Sequence, residues 1–142
     1  MVAVRLALVL AFAFDAGACL CDFTSLKSDY KTAAAVFIAT TATNEGGAIQ
    51  LHVERTWKGP YKPGDVMPAL LPTGESCDFN FRDARTYLVF AFDESPHEHY
   101  RVLECTHTGN VADERVQQSI KEIQRKHRWW DNPLSSIGWR GR

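Results

Sequence analysis

The chain has no apolar run of bilayer-spanning length: its longest candidate, Leu6 to Phe14, falls well short of the ~20 residues that a helical span needs. It has no internal repeat and no low-complexity tract, which argues against solenoid and disordered architectures. No nucleophile-elbow, phosphate-loop or zinc-ligand signature occurs after residue 18, so the sequence points to no enzyme and to no cofactor. Charge of one sign is also missing. With 16 basic and 17 acidic side chains the formal net charge is −1, and no chain-wide field draws it to a polyanion. That balance hides an asymmetry, because residues 115–142 hold 7 basic and only 2 acidic side chains. Cysteine is sparse too, at 4 residues, but its placement is the most informative thing in the chain.

Residues 1–18 read as a secretory signal peptide. Arg5 supplies the positive end, Leu6 to Phe14 the short apolar stretch, and Ala16-Gly17-Ala18 the small residues that signal peptidase requires. Cleavage there makes Cys19 the first residue and frees its α-amino group. Two other outcomes fit the same segment: lipidation of the cysteine that follows a small residue, and an uncleaved anchor. Export places the protein outside the cell, or in the periplasm or at the cell surface of a bacterium. Residues 19–142 then form one domain, 19–128, and a basic, tryptophan-bearing tail, 129–142.

All four cysteines, Cys19, Cys21, Cys77 and Cys105, fall after the signal. An even number in an exported domain predicts two disulfides. A bridge between Cys19 and Cys21 is disfavoured, because one intervening residue does not give the required Cα separation and dihedral. Two long-range pairings remain, and both tie the N-terminus to distant parts of the chain. Either predicts a rigid start to a domain, where most termini fray.

The rest reads as a short helix, five strands and a terminal helix. Leu26, Tyr30, Ala33 and Ala34 recur at helical spacing within Ser25–Ala35, with Thr24 or Ser25 as N-cap. Strands are expected at Val36–Thr43 and Ala48–Lys58, joined by Asn44-Glu45-Gly46-Gly47, then at Val66–Leu71, Arg85–Asp93 and His99–Cys105. A second helix, Asp113–His127, carries Val116, Ile120 and Ile123 on one stripe. The fold class is therefore all-β with flanking helices. Five short antiparallel strands suggest a small closed or partly closed barrel with the C-terminal helix packed on it.

Several pieces in this order resemble one family. They are the signal ending at C-x-C, the strand end Val53-Glu54-Arg55-Thr56-Trp57-Lys58-Gly59, the segment Gly74-Glu75-Ser76-Cys77-Asp78-Phe79, and the strands Tyr87–Phe92 and Val102–Cys105. Together they resemble the N-terminal domain of tissue inhibitors of metalloproteinases, within the netrin-like group of five-stranded, Greek-key OB-fold barrels. The resemblance runs from Cys19 to about Asn110. It implies bridges Cys19–Cys77 and Cys21–Cys105. It also implies that the Cys19 amine and carbonyl displace water from the catalytic zinc of a metallopeptidase, while Leu20 enters the adjacent specificity pocket. Zinc in such enzymes has three protein ligands and an open position, which a neutral amine and a carbonyl can fill. An α-amino group has a pKa of about 8, so its deprotonation near neutral pH costs only about 1 kcal/mol. Cys21, Asp22, Glu75, Ser76, Cys77 and Asp78 would complete the contact ridge. Leu20 and Asp22-Phe23 stand where animal members carry a small polar residue and a valine-proline pair.

The bare chemistry of the residues supports part of this. In an extended segment alternate side chains point to opposite faces, so Cys19 and Cys21 can turn inward while Leu20 points out. The implied partner is a zinc metallopeptidase met by a monomer, with no nucleic acid involved. The alternative is an extracellular netrin-like binding module, lipid-anchored or free, in which the cysteines are only staples. His97 and His99, flanking Glu98, read as a solvated loop, and His107 has no clear second ligand.

Overall fold

A computed structural model describes residues 19, 21–68, 77–94 and 99–132. The expected signal segment, Leu20, Glu75, Ser76, the His97–Glu98 pair and the tail beyond residue 132 lie outside the described residues. The protein is mostly β, with two helices. In chain order the elements are α1 (Leu26–Thr32), β1 (Ala35–Thr43), β2 (Ile49–Lys58), β3 (Val66–Pro68), β4 (Thr86–Glu94), β5 (His99–Val102), β6 (Gly109–Asn110) and α2 (Glu114–Trp130). The strands form one antiparallel sheet in the order β3-β2-β1-β4-β5, with β6 also paired to β4, and the sheet curls into a half-barrel. No helix among the described residues is long and apolar enough to cross a membrane.

The two central strands are buried on both faces, which is why β4 reads as the unbroken apolar run Tyr87–Phe92. Alternation divides them between two cores. Ala35, Phe37, Ala39, Tyr87, Val89 and Ala91 face one side with Leu51, Val53, Met67 and Val102. Val36, Leu88 and Phe90 face the other, where Tyr30 and Ala33 from the α1 region meet Val116, Ile123 and Trp130 of α2. Curvature has a local cause. The β1–β2 register shifts between Val36 and Phe37 and again between Ile38 and Ala39, and at each step β2 carries one extra residue. Such bulges bend the longer strand.

Two expected boundaries move. Strand β5 stops at Val102, and Cys105 lies in a turn instead of in the sheet. The reason is local. The Thr108 hydroxyl accepts the Phe90 amide at 3.0 Å, taking a β4 donor, and the chain arches around it before β6 rejoins β4. The third strand is seen at Val66–Pro68, and the rest of its expected span lies outside the described residues. Helix α2 continues past His127 through Trp129 and Trp130, two residues that the sequence reading assigned to the tail. Trp130 falls seven residues after Ile123, on the same stripe, and is buried with its ring 5.2 Å from that of Tyr30.

The α1 end of the molecule is fastened by polar contacts as well. Lys58 Nζ donates to the carbonyls of Tyr30 and Lys31, both at 2.9 Å, satisfying the last turn of α1 with a cation. The Tyr30 hydroxyl donates between Trp57 O at 3.3 Å and Asp131 Oδ2 at 3.2 Å. Burial first, and the Asp131 carboxylate second, push the Tyr30 phenol well above its ordinary pKa.

Candidate functional site

The site begins with a short antiparallel pairing outside the main strands. Phe79 N donates to Val102 O and Glu104 N donates to Cys77 O, each at 2.9 Å, around a bridge between Asp78 and Leu103. This places Cys77 beside the turn that carries Cys105. The N-terminal segment is fixed there twice. Cys19 is bonded to Cys77 with a Cα separation of 5.2 Å, and Cys21 to Cys105 with 5.0 Å. Both bridges are half-buried, so the ends of the segment touch the fold while one side of it meets solvent.

Of the expected contact residues, Cys19, Cys21 and Cys77 are brought together, and Asp22 is exposed beside them. Asp78 is different. Its carboxylate is only 7% exposed and accepts from Arg101 Nε at 3.0 Å, so it braces the Cys77 strand and offers little to a partner. Next to Asp22, Phe23 is 71% exposed, an apolar ring that sequence reading did not single out.

A hydrogen-bonded pair of a buried aspartate and a half-buried histidine was also missed. Asp29, in the first turn of α1, accepts from His107 Nδ1 at 2.6 Å and from the His107 amide at 3.1 Å. Its other oxygen accepts from the Thr24 hydroxyl. These contacts tie the residues just after Cys21 to the residues just after Cys105, alongside the covalent bridge. Burial alone would raise the Asp29 pKa, but the His107 hydrogen bond, the Thr24 hydroxyl and the imidazole charge outweigh it and hold the carboxyl below its ordinary range. A depressed carboxyl contributes stability that is complete above the unfolded pKa of about 3.9 and is lost as pH falls through the lower folded value. The expected result is a melting-temperature gap between the protein and Asp29→Asn that is present at about pH 5 and closes below about 4. Thermal melts across that range measure it, and a gap that widens in acid would overturn the assignment.

Searched against models of protein families, curated proteins and solved structures, the chain matches none of them. The sulfur atoms are all used in bridges, and no cysteine among the described residues is free. What the arrangement provides is a short N-terminal segment held by two covalent bonds and the Asp29–His107 hydrogen bond, with Asp22 and Phe23 presented at its side. Rigidity at an otherwise flexible position is its distinguishing property.

Proposed function

We propose that the protein is a secreted inhibitor of zinc metalloendopeptidases, with an OB-like barrel of the netrin kind as its scaffold. Residue Cys19, freed by cleavage after Ala18, presents its α-amine and carbonyl to the catalytic zinc of the target. Leu20 enters the neighbouring pocket, and Phe23 adds an apolar contact further along the same segment. The observation that supports this best is the double fastening of Cys19 and Cys21 to two separate parts of the fold, 58 and 84 residues away. A pinned segment loses little conformational freedom on binding, which is what a tight chelating contact needs.

The test compares the protein beginning at Cys19 with the same protein extended by one alanine before Cys19, assayed against a panel of zinc endopeptidases. The expected outcome is inhibition by the first and none by the second, since an acylated nitrogen is no longer a basic amine. Equal potency of the two would remove chelation from the account. A binding module acting through another surface is the second reading. It draws on a groove of about 390 Å³ between α2 and the sheet, with Ile38, Val111 and Ile120 among its lining residues and Glu54 and Lys121 beside them. Such a module loses nothing when its terminus is extended.

A further inference from the structure

Helix α2 presents a face that the fold does not use. Val116, Ile123 and Trp130 are buried, and at about 100° per residue they lie opposite an arc of about 60° that holds Lys121, Arg125 and Arg128. All three cations are exposed, and none is ion-paired among the described residues. Trp129 borders the same arc, 54% exposed, with Lys27 Nζ of α1 standing 4.7 Å from the centre of its ring. We propose that this face of α2, together with Lys27, adsorbs the protein on an anionic lipid bilayer, with the Trp129 indole at the level of the headgroups. The proposal is independent of the inhibitory reading, because it uses none of the residues assigned to the protease contact.

Three features carry it. The first is charge of one sign. A face that serves only solubility mixes its signs, and like charges about one turn apart destabilise a helix. Between Gln117 and Trp130 the one carboxylate is Glu122, which lies off the arc and accepts from Lys126 Nζ at 2.7 Å, while the other exposed positions are glutamines. Glu54, which lines a groove with Lys121, is held by the Thr40 hydroxyl, and Asp131 accepts from the Tyr30 hydroxyl. Anionic headgroups supply the missing counter-charge, at about fivefold in affinity per cation near the surface.

The second feature is position. The helix macrodipole accounts for Arg128, in the last turn, but not for Lys121 and Arg125, which precede it. The third is the indole. Its neighbour Trp130 is buried, whereas Trp129 keeps about half its surface in water, as amphipathic rings do at a membrane interface. Lys27 covers one of its faces, which makes the ring a poor platform for a stacked base. A polyanion would use the cations and leave the indole idle.

The experiment uses residues 19–142, which contain the whole described fold and omit the apolar run Leu6 to Phe14, whose own affinity for lipid would mask the readout. Cosedimentation with vesicles of phosphatidylcholine and phosphatidylglycerol, and with phosphatidylcholine alone, reads binding. Tryptophan emission and its quenching by brominated acyl chains read the depth of the indole. The expected result is binding to the anionic vesicles only, reversed by salt, with a blue shift and quenching. Lys121→Gln, Arg125→Gln and Arg128→Gln combined should weaken it on the order of 100-fold. Trp129→Phe, which keeps a ring but not the fluorophore, should remove the shift and the quenching. Melting temperatures equal to the parent's show that these exposed substitutions keep the fold, and where one does not, the parent's salt dependence and quenching decide. Equal binding to neutral vesicles, a triple variant that binds like the parent, or quenching that survives Trp129→Phe would each overturn the surface. So would no binding at all, the mark of a merely solvated face. Tighter binding to duplex DNA or a sulfated polysaccharide than to vesicles, without a blue shift, would assign the cations to a polyanion and overturn it too.

Discussion

Replacing Cys21 and Cys105 together by serine should lower the free energy of unfolding by about 2–5 kcal/mol, measured by urea unfolding with a slope that rises because the unlinked unfolded chain exposes more surface. The bridge spans 84 residues, and closing a loop of that size restricts the unfolded chain by about 4.6 kcal/mol in the chain-entropy account. The retained Cys19–Cys77 bridge and the Asp29–His107 pair keep part of the constraint, which sets the lower bound. Against the total of about 5–15 kcal/mol typical of a domain, the loss is a large fraction. A change below about 1 kcal/mol would mean that the N-terminal segment is not stapled to the fold in solution. The companion pair, Cys19→Ser with Cys77→Ser, separates stability from the proposed function, because it frees the residue that the proposal assigns to chelation.

Gly59→Ala should cost about 2–4 kcal/mol, for two reasons that act together. Its φ of 101° lies where side chains are rarely tolerated. A Cβ built there would also stand 2.6 Å from Ala35 Cβ and 2.9 Å from Ala35 Cα, so the obstacle includes backbone of a fully buried strand position. Gly47→Ala is the control. Its φ is 80°, yet nothing lies within 4 Å of the added carbon, so only backbone strain of about 1–2 kcal/mol remains. Urea unfolding of the two variants isolates the steric share. Equal losses would show that β1 and the chain after β2 do not approach this closely.

Periodicity carried the fold where burial follows a single rule. The alternation of Leu51 and Val53, the apolar run of β4 and the Ser25 cap, whose hydroxyl accepts the Ser28 amide at 3.2 Å, were all legible in the sequence. Strand β6 was not, because two residues carry no period. The extension of α2 to Trp130 had a signal, the continuation of the Val116–Ile123 stripe, masked by the adjacent exposed Trp129. The site divides in the same way. C-x-C announced a stapled terminus from its position and spacing, and the structure shows which cysteines it meets. Asp29 with His107 was illegible, since a polar pair 78 residues apart leaves no local pattern and its worth comes entirely from burial. The exposure of Phe23 belongs to the same class. Nothing in the sequence around Phe23 says whether its ring will find a core.

The contacts of residues 19–30 have a consequence for a chain that is made in order from its N-terminus. Cys19 waits for Cys77, Cys21 for Cys105, Asp29 for His107, and Tyr30 for Trp130 and Asp131. The segment that emerges first is thus among the last to be seated. Until residue 105 has been made, Cys21 is without its partner and is open to whatever thiol chemistry surrounds the growing chain.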